Sequence, residues 1–207
     1  NSASKTYDGT ALTVEGFVNQ DDEGRIPVTA DGKTYYVSGL SASASATDAT
    51  ASAIAVNATG TAQVTDEAGN DVTGEFQVNV IPGSLEIAKR PVTLTSGNFS
   101  KEYDGTALTN ADPETGEQRP LAVESGWAEG EGATYTFTGS VTLPGASAAN
   151  AFSYTLNENT KAENYTITKS EGTLSITNRD AKYEVSVTVN SASKTYDGTA
   201  LTVEGFV

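Results

Sequence analysis

NSASKTYDGTALTVEGFV runs from Asn1 to Val18 and returns unchanged from Asn190 to Val207, an offset of 189 residues in a chain of 207. A fixed period of this kind marks a tandem array, one structural unit built repeatedly along a chain. Its centre occurs a third time inside the period: KTYDGTALT at Lys5–Thr13, KEYDGTALT at Lys101–Thr109 and KTYDGTALT at Lys194–Thr202. The aspartates, Asp8, Asp104 and Asp197, lie 96 and 93 residues apart. The long period is therefore two related units of similar length.

The unit ends agree with this division. GEFQVNVIPGSLEIAKR (Gly74–Arg90) parallels AENYTITKSEGTLSITNR (Ala162–Arg179), each reading as strand, glycine turn, strand and basic exit. A β-rich lead-in then opens the next unit: PVTLTSGNFS (Pro91–Ser100) before KEYDGT and YEVSVTVNSAS (Tyr183–Ser193) before KTYDGT. The expected organisation is a first repeat over residues 1–90, a second over 91–180 and the opening strands of a third over 181–207. The first repeat lacks a lead-in, and a strand like Tyr183–Val189 is the one that belongs in that slot.

Runs such as TLTVEGFV, KTYYVSGL, EFQVNV and SLEIAK, and ATYTFTGSVTL, AFSYTLN and NYTITK after them, alternate polar with β-branched or aromatic residues, the pattern of half-buried strands. Asp-Gly, Gly-Asn and Pro-Gly pairs separate them. Short strands at this spacing predict an all-β chain of tandem small domains, β-grasp-like or Ig-like sandwiches set end to end as a rod. Ser41–Ala53, SASASATDATASA, has no apolar stripe at helical spacing and reads as loop or edge. The expected core is Leu12, Val14, Phe17, Tyr36, Val37, Ile54, Val56, Phe76, Val78, Leu85 and Ile87. In the second repeat it is Leu108, Leu121, Tyr135, Phe137, Phe152, Tyr154, Tyr165, Ile167, Leu174 and Ile176.

Twelve basic against 27 acidic residues give a net charge of −15. The acids are spread evenly, with 12 acids and 5 bases in each of the two repeats. An even negative field disfavours nucleic acid and anionic membrane surfaces. No apolar run approaches the length of a membrane span. Cysteine, methionine and histidine are absent, which excludes disulfides, thiolate metal sites and imidazole catalysis. The carboxylate pairs Asp21-Asp22 and Glu129/Glu131 lie in acidic loops rather than in a cleft suited to glycoside hydrolysis. The expectation is a non-enzymatic chain without a cofactor.

The recurring signature has a local explanation. In Tyr7-Asp8-Gly9, Tyr103-Asp104-Gly105 and Tyr196-Asp197-Gly198, glycine accepts positive φ, aspartate bonds the backbone beyond it, and tyrosine covers the core edge. The K-x-YDGT-x-L opening, with a G-x-L-x-I strand closing a unit of about 90 residues, resembles the YDG/MBG-type repeats of bacterial cell-wall-anchored adhesins. The resemblance covers Lys5–Arg90 and Lys101–Arg179 and resumes at Lys194. It implies an extracellular, cell-wall-attached β module of a stalk or fibre, and no catalytic residues.

Other candidates are weaker. Asp66, Asn70 and Asp71 gather oxygens in one loop but lack EF-hand spacing, and Gly69-Asn70 suits a hairpin tip. Lys5 and Lys101 are placed as lysines of an internal Lys–Asn crosslink would be, yet Asn178 aligns with Lys89 and no shared pair exists. The sequons at Asn57, Asn98 and Asn164 carry no function in a Thr-rich β chain. Trp127 and Tyr135, beside the acidic stretch Glu124–Glu131, mark a possible contact surface.

Three functions compete. A spacer would hold a distal binding domain away from the cell wall. An adhesive module would bind a host or bacterial glycan or protein weakly and gain from avidity. In a head-to-tail fibre, Tyr183–Val207 of one copy would add to an open sheet edge of an adjacent copy.

Overall fold

A computed structural model describes residues 1–206. They are almost entirely β: seventeen strands and two single-turn 3₁₀ helices, with no α-helix among the described residues. The first half contains β1 (Ala3–Thr6), β2 (Leu12–Glu15), β3 (Ile26–Ala30), β4 (Lys33–Ala46), β5 (Ile54–Val56), β6 (Ala58–Asp66) and β7 (Gly83–Ala88). The long β4 organises one sheet, pairing antiparallel with β2, β3 and β6. In the other sheet β7 is central, parallel to β1 and antiparallel to β5.

The second half contains β8 (Arg90–Thr95), β9 (Phe99–Glu102), β10 (Leu108–Thr109), β11 (Val123–Ser125), β12 (Ala133–Phe137), β13 (Ser140–Val141), β14 (Ser147–Ala149), β15 (Phe152–Leu156), β16 (Tyr165–Ser170) and β17 (Thr173–Thr177). The trio β9-β17-β14 repeats the trio β1-β7-β5, with the same parallel and antiparallel neighbours. β10 pairs with β13 and β12 with β15. β8 lies between β11 and β16, parallel to β16. Among the described residues, no ladder joins a strand of the first half to one of the second.

Side chains do cross between the halves. One buried cluster holds Leu85 and Ile87 of β7 together with Val92, Leu94, Phe152 and Tyr165; Leu85, Ile87 and Leu94 are fully buried. A second gathers Leu108, Val141, Leu174 and Ile176. Burial of such side chains contributes roughly 1.5–3 kcal/mol each. Tyr7, Val64, Val92 and Leu94 are core residues that the alternation pattern did not nominate, whereas Ile54 and Tyr154, expected inside, are exposed.

Three sequence expectations need correction. Ser41–Ala46, read as loop or edge, is strand, the second half of β4. SASASA alternates with the period of a strand: Ala42, Ala44 and Ala46 pack on the core, while Ser45 and Ser41 face out to Thr13 and Thr59 at 3.0 Å. EFQVNV forms no strand, although the equivalent Tyr165–Ser170 does. Its equivalent pairs with β8, whereas among the described residues no strand pairs with Phe76–Pro82. Residues 183–206 likewise form no strand and are almost wholly exposed, because no sheet lies against them. They retain one isolated bridge, Val189 to Phe206.

Candidate functional site

The three copies of the signature fold alike. Lys5 Nζ donates to Asp8 Oδ1 at 2.6 Å and to Thr10 Oγ1 at 2.7 Å. Asp8 Oδ1 also accepts from the Thr10 amide at 2.9 Å and from its hydroxyl at 2.7 Å. Lys101, Asp104 and Thr106 repeat the arrangement, as do Lys194, Asp197 and Thr199. Gly9, Gly105 and Gly198 stand at φ +82°, +85° and +76°, a region that a β-carbon strongly disfavours. Hydrogen bonds from the lysine and then the threonine hold Asp8 and Asp104 well below the usual carboxylate range and bring Asp197 to about 2. The lysine of the signature is thus part of the turn, a role the sequence reading did not assign.

What differs is the tyrosine. Tyr7 is only 4% exposed, and its hydroxyl donates to Glu131 Oε1 at 2.5 Å, across the boundary between the halves. The Tyr165 hydroxyl donates to the other oxygen, Oε2, at 2.9 Å, and the two rings meet edge to face at 5.5 Å. Trp127 packs edge-on against Tyr165 from 4.9 Å. Burial, then Glu131, pushes the Tyr7 hydroxyl up to about 12, and the same two causes raise Tyr165. Both hydroxyls therefore remain donors at neutral pH.

A polar clamp lies beside this aromatic contact. Asn164, fully buried, accepts from the Ala49 amide at 2.7 Å and donates to Asp48 Oδ1 at 2.9 Å. Lys161 bridges to Asp48 Oδ2 at 2.6 Å. Lys161 and Asn164 together draw the Asp48 carboxyl below its ordinary value. Arg90 donates from Nη1 to the Tyr7 carbonyl at 3.4 Å and from Nε to the Gly126 carbonyl at 2.5 Å. Arg179, the basic exit of the second half, makes the matching bond to the Tyr103 carbonyl at 3.3 Å. The joint thus combines an apolar contact, a carboxylate shared by two hydroxyls and an ion pair braced by a buried amide.

The remaining candidate residues are engaged locally. Trp127 is half-buried and donates from Nε1 to Glu124 Oε1 at 3.1 Å; the Tyr135 hydroxyl donates to the same oxygen. Burial and then Glu124 raise Tyr135 to about 12. Asp66 accepts from the amides of Ala68 and Asn70 and from the Asn70 side chain, so this carboxylate caps a hairpin tip. Asp71 accepts from the Thr73 amide. Among the described residues no group of three or more carboxylates is placed to hold a metal ion. The ammonium groups of Lys5 and Lys101 are taken up by their own turns. Glu131, read in the sequence as one acid of a solvated loop, is the residue that sequence reasoning missed. Only its contacts with Tyr7 and Tyr165, 124 and 34 residues away, distinguish it from Glu129.

No protein-family model, curated protein or solved structure matches this chain.

Proposed function

We propose that the chain is a segment of a non-catalytic stalk of the YDG/MBG type, an extracellular, cell-wall-attached bacterial fibre that projects a distal binding domain. Residues 1–90 and 91–180 are successive units in this reading, and 181–207 open a third. The observation that carries it is the burial of Tyr7, at 4% exposure, against Tyr165 and Glu131 of the following unit. A spacer must resist bending at its joints. Here an aromatic contact, a shared carboxylate and the Lys161–Asp48–Asn164 clamp act on one boundary from different sides. The exit arginine bonds the signature tyrosine's carbonyl within each unit, so the two units close in the same way.

The chain lacks cysteine, so spin labels can be introduced at single sites. Labels at Glu67→Cys and Glu158→Cys, both exposed positions, should give one narrow distribution of separations by double electron–electron resonance. A broad or multimodal distribution would overturn the rigid-joint reading.

A further inference from the structure

The two halves diverge at the last residue of their shared signature. KTYDGTALTV (Lys5–Val14) ends on valine and KEYDGTALTN (Lys101–Asn110) on asparagine. The position is buried in both, Val14 at 4% exposure and Asn110 at 0%. A buried amide is costly unless its polar atoms are bonded. Asn110 spends its amide on the segment that follows, Ala111–Arg119. Its Nδ2 donates to the Arg119 carbonyl at 2.7 Å, and its carbonyl accepts from the Arg119 amide at 3.3 Å. Asn150, also fully buried, donates to Asn110 Oδ1 at 2.8 Å and to the Gly97 carbonyl at 3.0 Å. Ser96 donates to the Asn150 carbonyl at 2.6 Å. This buried network pins the segment to the chain entering β9.

The pinned segment forms one wall of a pocket of about 560 Å³ between β9 and β10. Asn98–Lys101 form the facing wall. The volume is that of a small-molecule site. Arg119 is fixed in three ways. Its Nη1 donates to the Ala111 carbonyl at 3.1 Å, Nη2 pairs with Asp112 at 3.2 Å, and its guanidinium lies 4.4 Å from the centre of the Phe99 ring. Lys101 is matched in turn by Asp104 at 2.8 Å. Both cations of the pocket are thus balanced by acids, in a chain of net charge −15. An anionic ligand has no attraction there.

What the pocket offers is uncharged hydrogen bonding of both kinds. The bonds to Asp104 fall on Oδ1, which leaves Oδ2 as an acceptor. Arg119 bonds through Nη1 and Nη2, which leaves its Nε–H as a donor. Asn98 accepts from the Thr173 amide through Oδ1, which leaves its Nδ2 as a donor. The Thr109 hydroxyl accepts from the Ala111 amide and keeps its own proton to give. Neighbouring hydroxyls on a sugar ring both donate and accept, so one small ring can meet donors and acceptors together. An extended peptide fits less well: β9 is an edge of only four residues, and Arg119 lies over the first of them, Phe99. The pocket also lies on a flank that the joint does not use. Contacts across the joint engage Tyr7, Asp48 and Ala49. Among the described residues, the side chains of Lys5 and Thr10, counterparts of Lys101 and Thr106 in the pocket, bond only within their own turn.

We propose that this pocket is a binding site for a neutral sugar of one or two rings, and that the second half carries it while the first does not. Asn110 is a positioning residue: it holds Arg119 and the wall in place before the sugar arrives, which lowers the ordering cost of binding. The inference needs only the second half and stands whether or not the joint is stiff.

The test records ¹H–¹⁵N spectra of the full chain during titration with the methyl glycosides of glucose, galactose, mannose and N-acetylglucosamine. At least one should shift the amides of Ser100, Thr106, Ala111 and Arg119 saturably, while Ser4 and Thr10, their counterparts in the first half, stay still. Ser100→Trp, at an exposed strand position on the pocket wall, should abolish the shifts and leave the rest of the spectrum in place. Ser4→Trp should change nothing. Asn110→Val installs the first half's residue and should weaken binding about tenfold, the worth of one hydrogen bond. No saturable shift with any glycoside, equal shifts in Ser100→Trp, or matching shifts at Ser4 and Thr10 would each overturn the proposal. So would an acetylated Thr-Ser-Thr-Ser peptide amide that moves the pocket amides where no glycoside does.

Discussion

KTYDGT at Lys5–Thr10 and KTYDGT at Lys194–Thr199 are the same six residues in different surroundings. Their local bonds coincide: the aspartate accepts from the threonine amide at 2.9 Å in both, and the lysine holds the aspartate at 2.6 and 2.9 Å. Asn1 and Asn190 even donate to the carbonyls of Glu15 and Glu204 in the same way. Yet Tyr7 is 4% exposed and Tyr196 is 91% exposed, and Val14 and Val203 differ in the same direction but less, 4% against 42%. The turn is thus written in six residues, whereas the burial of its tyrosine depends on a neighbour more than a hundred residues away. Within this chain the signature tyrosine is deeply buried at Tyr7, half-buried at Tyr103 and exposed at Tyr196.

Substitutions at matched positions can break or sharpen that comparison. The largest contrast is expected between Leu94→Ala and Val187→Ala. Leu94 is fully buried in β8, and its loss should cost about 2–5 kcal/mol in chemical denaturation. Val187 occupies the equivalent place in an exposed segment that forms no strand, so in dilute monomer its loss should leave the transition unchanged. Equal effects would mean that the tail is covered after all.

Next comes the tyrosine itself. Tyr7→Phe removes a hydroxyl from Glu131 and should cost roughly 1.5–3 kcal/mol, the range for hydrogen bonds to charged acceptors. Tyr196→Phe should cost nothing measurable. Gly9→Ala should follow at about 1–2 kcal/mol, the penalty for a β-carbon in the left-handed region. Gly105→Ala should match it, while Gly198→Ala should leave global unfolding unaltered. If Gly9→Ala proved silent, the turn would be relaxing through another conformation.

The smallest effect is on pH dependence, and its sign follows from the direction of each shift. Asp8 and Asp104 have lowered folded values, so their contribution is present above the unfolded carboxylate range and fades as pH falls below it. Tyr7 has a raised value of about 12, so its contribution is complete below the ordinary tyrosine pKa of 10.0 and disappears as pH rises through about 12. Denaturation midpoints across both ranges, with tyrosinate absorbance at the alkaline end, check these directions. Glu131→Gln should reduce the alkaline component and leave the acid one unchanged.

The parts of the molecule legible in the sequence are those governed by local chemistry. Alternation every second residue revealed the β class, and Asp-Gly revealed the signature turn, because strand period and positive φ are properties of a few adjacent residues. Composition misled at Ser41–Ala46, where serine and alanine suggested loop while their alternation matched a strand packed closely through small side chains. EFQVNV has a strand's sequence without a strand's partner, so propensity alone could not decide it. The joint was least legible. Glu131 resembles any solvated acid until the chain brings Tyr7 and Tyr165 to its two oxygens.

Small-angle X-ray scattering on the monomeric chain tests most directly the proposal that consecutive repeats are locked end to end through Tyr7, Glu131 and Tyr165. A compact globule of this length would have a radius of gyration of about 17 Å. The account predicts a value well above that, with an elongated pair-distance distribution that Tyr7→Ala broadens. A radius near the compact value, or a profile that Tyr7→Ala leaves unchanged, would contradict it.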